Sequence, residues 1–380
     1  MIYLDNHATT QCDQRVVQAM LPFFSTAYGN PSSEIHAMGR EARLAVETAR
    51  LQVAGSIGAK PEEIIFTSGA TESNNLCILG IAAKADLRSK RRIITSAVEH
   101  KSVQMTCQML GERGLNLVVL PVDASGRVRE SIALEQITDE TLLASIQAAN
   151  NEIGTIQQIR QFADMVHHKD ALFHCDAAQA IGRISVDVDA WDVDLLSLSA
   201  HKVYGPKGIG AVYVRGGANR APFKSLLYGG DQEGGLRPGT LNVPLIVGFG
   251  EACRIAAEVM TDESVRIKLM RDWLEAGLLA AIPDLKRNGD LINRLPNNSS
   301  LTFPGVDAEA LIMSIPELAL STGSACNSGA QEPSYVLRAI GLTHEQAQSS
   351  LRIGLGRFTT DSDIETAITL ISERAKAIIA

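Results

Sequence analysis

The sequence predicts an α/β fold: a large domain with a mostly parallel sheet flanked by helices, followed by a smaller α+β domain. Between about residues 60 and 215, seven short runs rich in Val, Ile, Leu and Ala recur: IIF (64–66), RIITSA (92–97), LNLVVLPV (115–122), LLASIQAA (142–149), ALFHCD (171–176), DLLSLSA (194–200) and GAVYVR (210–215). Unbroken apolar runs between helical patterns belong to strands buried on both faces of a sheet. The intervening helices are expected at 71–81, 101–113, 127–136 and 156–168, where Ile156, Ile159, Phe162 and Val166 recur at helical spacing. After residue 216 the composition changes. Two Gly- and Pro-rich segments (215–223 and 226–244) read as long ordered loop, and a helical region covers 243–281. Short strands in 297–305, 319–326 and 350–356 precede a closing amphipathic helix, which has Asp at its start and Lys near its end.

Composition narrows the function. With 380 residues, 45% of them hydrophobic, the chain can bury a sizeable core. Its 35 basic and 43 acidic residues give a net charge of −8, which argues against direct nucleic-acid binding or adhesion to an anionic membrane. No apolar run approaches the ~20 residues of a membrane helix, and MIYLDNHATT lacks the regions of a signal peptide. These features predict a soluble cytoplasmic protein. The six cysteines (12, 77, 107, 175, 253 and 326) form no Cys-x-x-Cys pair, so neither a disulfide framework nor a zinc site is expected. His167 and His168 are neighbours about 100° apart on a helix, a poor chelating pair that is expected to be solvated, and no metal site is predicted.

Dinucleotide and P-loop signatures are absent: no G-x-G-x-x-G follows the first strand, and no G-x-x-x-x-G-K-[ST] occurs. Three other segments carry chemistry. In FTSGATESNN (66–75) a strand ends in a Ser-Gly turn with Thr71 as N-cap and Asn74 three residues later, so backbone N–H groups would face an anion. In DLLSLSAHK (194–202) Lys202 directly follows an apolar strand, where an amine is partly desolvated and suited to a Schiff base, with Ser199 and His201 available for phosphate. In ALFHCDAAQAIG (171–182) Asp176 ends a strand, and the carboxyl edge of a parallel sheet is where ligands bind. An acid, a lysine and a phosphate cradle together are what pyridoxal phosphate requires, because its ring nitrogen must stay protonated to withdraw electrons.

SLSAHKVYGPKGIGAVYV (197–214) resembles the lysine signature of class V aminotransferase-like pyridoxal-phosphate enzymes of fold type I. The whole chain resembles their cysteine desulfurase branch in the long-loop group, through YLDNHATT (3–10), GNPSSEIHAMGREA (29–42), AVEHKSV (97–103), ANNEIGTIQ (149–157), LRPGT (236–240), GSACNSG (323–329) and LRIGLGRFT (351–359). The resemblance implies a cofactor domain over 14–255 and a small domain formed by 1–13 and 256–380. It implies that Lys202 holds pyridoxal 5′-phosphate as a Schiff base, that Asp176 pairs with the ring nitrogen and that Gln179 bonds the ring hydroxyl. His100 would stack on the ring and shuttle protons. Ala70, Thr71, Ser199 and His201 would hold the phosphate, with Thr240 lent across a homodimer interface. Asn151 and Arg352 would fix the substrate carboxylate, for which a planar guanidinium is the natural partner.

Cys326 lies between STGSA and NSGAQ, small polar sequence typical of an exposed loop, and so reads as the nucleophile. Cys77, Cys107, Cys175 and Cys253 sit in apolar patterns and read as core. The implied activity converts L-cysteine to L-alanine through a persulfide on Cys326. That sulfur then passes to an acceptor protein for iron–sulfur clusters, tRNA or DNA modification, with His100 assisting the thiolate. A selenocysteine lyase, a class V aminotransferase and a non-catalytic sulfur-carrier scaffold are the alternatives. Two departures stand out: His7 occupies a position where many relatives have alanine, and Gly234 and Pro238 stand where many have Arg and Ser.

Overall fold

The computed structural model describes residues 1–86, 89–323 and 333–379. The chain opens with β1 (Ile2–Tyr3) and then lays down a seven-stranded sheet from β2 (Ile64–Thr67), β3 (Arg92–Ser96), β4 (Asn116–Leu120), β5 (Thr141–Ser145), β6 (Leu172–Asp176), β7 (Leu195–Ser199) and β8 (Gly210–Val214). Each of the seven apolar runs supplies one of these strands. Their spatial order is β2-β8-β7-β6-β5-β3-β4, all parallel except β8, which runs antiparallel to both β2 and β7. Alternate side chains enter different cores. Ile64 and Phe66 pack with Val46, Val53 and Ile246 on one face, whereas Ile65 packs with Leu76, Ile81 and Val103 on the other. Helices Ala37–Gly55 and Ile159–His167 belong to the first layer; helices Ala70–Lys84 and Lys101–Glu112 belong to the second.

Two helices begin later than their periodicity suggests. Val128 bridges to Val122 and Ile156 to Ala149, so backbone groups there are paired in short antiparallel ladders; the helices run Glu130–Gln136 and Ile159–His167 instead. His167 is not simply solvated either, since its Nε2 lies 2.9 Å from Asp194 and its Nδ1 3.4 Å from Asp192.

The 39-residue helix Val243–Ala281 joins two cores. Val243, Ile246 and Phe249 pack under the large sheet. Ile267, Met270, Leu274 and Leu278 enter a separate cluster with Leu4, Leu301, Phe303, Ile353 and Ile371. Around that second cluster lie β9 (Lys286–Arg287), β10 (Asn298–Thr302), β11 (Leu318–Ala319), β12 (Ser350–Gly354) and the closing helix Asp361–Ile379. The order β12-β10-β9 is antiparallel, and β11 pairs in parallel with β1. The amino terminus therefore packs against the carboxyl-terminal part of the chain. Among the described residues, no helix is long and apolar enough to cross a membrane.

Leu274 is wholly buried in the second cluster. Leu274→Ala should lower unfolding stability by about 2–5 kcal/mol, through lost transfer energy plus a residual cavity, as measured by urea titration.

Candidate active site

Loops leaving the carboxyl ends of β3, β5, β6 and β7 converge on one cavity of 460 Å³. His100, Asn151, Asp176, Gln179, Ser199, His201 and Lys202 line it, with Ala70 and Thr71 on one side and His7, Ala8 and Arg352 on another. Ten of the twelve residues singled out in the sequence thus meet here. Thr240 does not: it is exposed, in an adjoining 190 Å³ cavity that it shares with Ser68 and Gly208. Cys326 lies outside the described residues, although Gly323, three positions earlier, lines the main cavity. A larger cavity of 660 Å³ lies elsewhere, beside Arg50 and Glu233. That pair is already mutually satisfied, with bonds of 2.7 and 2.9 Å, so it offers no chemistry comparable to the lysine site.

The anion cradle differs in detail from its sequence reading. Thr71 is not the cap; the helix starts at Ala70, and Gly69 is the N-cap with φ +147° and no side chain to occupy the first-turn N–H groups. Only glycine adopts that backbone readily. Gly210 enforces the close approach from below, because a Cβ there would meet the Gly69 Cα at 2.6 Å and the Leu198 carbonyl oxygen at 2.4 Å. The positive helix end is therefore open to the cavity. Beside it, burial and the charges of Lys202 and Lys207 push the His201 imidazole down to about 4, so it is neutral near pH 7.

Asn74, read from sequence only as a partner of the cap, is a buried hub. Its two amide hydrogens reach Asp176 Oδ2 (2.7 Å) and Ser102 Oγ (2.8 Å). The Ser102 hydroxyl in turn donates to His100 Nδ1 at 2.8 Å, and that nitrogen also accepts the Ser102 backbone N–H at 3.1 Å. Burial lowers the His100 pKa, against the pull of Asp176. A neutral ring whose Nδ1 accepts must carry its hydrogen on Nε2. His100 thus presents a donor at Nε2 in this state. Asp176 Oδ1 takes the Ala178 N–H at 2.9 Å, so the carboxylate is held from both sides.

Lys202 ends a one-turn 3₁₀ helix after β7, and its Nζ donates to the carbonyls of His7 and of Ala8 (2.8 Å). Arg352 on β12 is braced by Asp5 at 2.7 Å and donates to the carbonyls of Asn151 (3.0 Å) and Gly323 (3.2 Å). Its Nε is buried and has no hydrogen-bond partner among the described residues. Nothing in the periodicity around Asp5 or Asn74 marks them as site residues, since both act through the distant side chains they hold.

Residues 2–366 match the family "Aminotransferase class-V". The chain belongs to this family. Class V aminotransferases and cysteine desulfurases depend on pyridoxal phosphate. The chain is similar to a mitochondrial cysteine desulfurase of Arthroderma benhamiae, 49% identical over 98% of this chain and 74% of that one. It is also similar to cysteine desulfurase IscS of Rickettsia typhi, at 46% over 98% and 90%. Among solved structures, a NifS-like protein superposes with a TM-score of 0.91 at 38% identity, covering 98% of each chain. These likenesses, with the mostly parallel sheet, bear out the fold type I architecture.

Buried titratable groups around the site give a pH optimum of stability. His7 is pushed down to about 3, and His174 and His201 to about 4, chiefly by burial. The unfolded chain binds protons on them first, so stability falls as pH drops below their ordinary 6.5. Burial pushes Glu99 the other way, up to about 8 from 4.5, so its contribution is present in acid and lost as pH rises through 8. Thermal melts of cofactor-free protein should peak between about pH 6 and 7. Glu99→Gln should remove the decline from there to pH 8, and an unchanged decline would mean that Glu99 is already ionised in the folded chain.

Proposed function

We propose that this chain is a cysteine desulfurase which takes the sulfur of L-cysteine, releases L-alanine, and carries the sulfur as a persulfide on Cys326 for an acceptor protein. The observation that carries this reading is the meeting of Lys202, Asp176 and Arg352 in one cavity, beside a helix end left open by Gly69.

The residues present fit pyridoxal phosphate. The uncapped N–H groups at Ala70 and Thr71, with Ser199 and His201, suit its phosphate. Asp176, secured by Asn74 and the Ala178 N–H, suits a protonated ring nitrogen, the Gln179 amide suits the ring oxygen, and Lys202 is the covalent anchor. When bound, this cofactor supplies an electrophilic aldehyde and an electron-withdrawing ring. Arg352, oriented by Asp5, binds the substrate carboxylate through its planar fork, with Asn151 beside it. The Lys202 amine takes the proton from the substrate Cα and returns one to the departing product. The Nε2–H of His100 stabilises negative charge on sulfur.

Sulfur transfer is a displacement. The Cys326 thiolate attacks the substrate sulfur, the S–S bond forms as the C–S bond breaks, and the three-carbon remainder gains a proton to leave as alanine. The five described cysteines support this choice by elimination. Burial raises the thiol pKa of each, Cys107 and Cys253 to about 12 and Cys175 well above its ordinary range, so none forms a thiolate at neutral pH. Such unpaired thiols suit a reducing compartment, the cytoplasm.

The decisive experiment is incubation with L-cysteine and a reductant, with alanine and sulfide expected in equal amounts; cysteine consumed without alanine would overturn the reading. Lys202→Ala should purify without the visible band of covalently held cofactor. Cys326→Ser should still shift that band on adding cysteine yet release no sulfide, because a serine hydroxyl is too weakly ionised to replace the thiolate.

Exposed Thr240, outside its own chain's cavity but near Ser68, supports a homodimer in which each copy lends this hydroxyl to its neighbour's phosphate. Light scattering should give the mass of two chains, and Thr240→Ala should weaken cofactor affinity by roughly tenfold, the value of one hydrogen bond to an anion.

A further inference from the structure

His7 is almost wholly buried, and both ring nitrogens have partners. Nδ1 lies 3.0 Å from Gln179 Oε1, and Nε2 lies 3.2 Å from Asn298 Nδ2. The orientations of the two amides are independently set by backbone carbonyls: Gln179 Nε2 donates to the His7 oxygen at 3.0 Å, and Asn298 Nδ2 donates to the Glu152 oxygen at 3.1 Å. Turning either amide over would set oxygen against oxygen. Since an amide oxygen only accepts and an amide nitrogen only donates, the ring must carry its single hydrogen on Nδ1 and accept at Nε2. A second proton on Nε2 would face the Asn298 NH₂ donor; burial above all, with the charges of Arg352, Arg183 and Lys202, pushes the imidazole down to about 3. Two glycines make room for the arrangement. A Cβ on Gly354 would meet His7 Cδ2 at 2.8 Å, and one on Gly154 would meet the Asn298 side chain at 2.6 Å.

We propose that His7 is a positioning residue: its ring, locked by Asn298 into the Nδ1–H form, pins the Gln179 amide so that the remaining Nε2 hydrogen serves the cavity. The peptide oxygen of the same residue takes one Gln179 hydrogen and also accepts from Lys202, alongside the Ala8 carbonyl, so one residue touches two functional groups. The inference rests on the reading above, in which Gln179 bonds the cofactor's ring oxygen, and it adds what makes that bond directional. With the donor fixed, the ring oxygen is held in its charged form. When the donor is free to turn away, negative charge on that oxygen is less well satisfied, and the conjugated Schiff-base nitrogen keeps its proton to higher pH.

Two measurements test this. The first needs no activity: nitrogen-15 NMR of the histidine rings, with the His7 signals identified by their loss in His7→Asn. Protonated Nδ1 with bare Nε2 is expected, and the opposite tautomer or a cationic ring at pH 7 overturns the proposal. The second is the pH midpoint of the holoenzyme's visible band. Gln179→Ala and His7→Ala should each raise it, by about one pH unit for the loss of one charge-assisted bond. The double variant should go no further than Gln179→Ala, and His7→Asn, whose amide can still donate to Gln179, should return towards wild type. A shift in Gln179→Ala with none in His7→Ala sinks the inference and spares the reading of Gln179. No shift in Gln179→Ala sinks both. A shift in His7→Ala that His7→Asn fails to reverse means that the bulk of the ring matters and its donated hydrogen does not, which also overturns the proposal.

Discussion

Asp176 ends a central strand with its carboxyl group buried, and much of the site is arranged around holding that group. A charge there is tolerable only with hydrogen bonds on both oxygens. The Ala178 N–H satisfies one oxygen and Asn74 the other. Because Asn74 has a second hydrogen, the same residue reaches Ser102, whose backbone N–H makes His100 Nδ1 an acceptor and so leaves that ring's hydrogen on Nε2. One buried amide thus ties the acid of the site to the serine that holds its imidazole.

A similar economy governs the opposite wall. The first ten residues lie far in sequence from β7 and β12, yet they hold groups from both. Asp5 braces Arg352, the carbonyls of His7 and Ala8 take the Lys202 amine, and the His7 ring holds Gln179. These contacts exist because β1 pairs with β11 and Leu4 enters the second apolar cluster, which fixes the amino terminus along the cavity wall. Positions so distant in the chain meet only when both cores are complete.

Much of the site was legible beforehand because residues at the carboxyl ends of parallel strands share one edge of a sheet. Lys202, Asp176, Ser199 and His201 follow apolar runs, and such a run is recognisable one strand at a time. Local pairing was less legible. Val128 and Ile156 fit a helical period but spend their backbone groups on bridges to Val122 and Ala149, because a short ladder satisfies the chain sooner there. Thr71 is not the cap because the helix begins one residue before it, from Gly69, whose φ of +147° in the turn against Gly210 suits glycine.

The sequence by itself determined the fold class, the family, the order of the strands along the chain and the chemical types gathered for the reaction, since hydrophobic period and motif are local properties. Only the tertiary structure decided how those groups are held. Asn74 serving two partners, the neutral His7 between two amides and the placement of Thr240 outside the main cavity depend on hydrogen-bond directions and glycine clearances between residues tens to hundreds of positions apart. A hydrogen bond acts over about 3 Å, a scale that residue spacing along a chain does not encode until the packing of both cores brings the partners together.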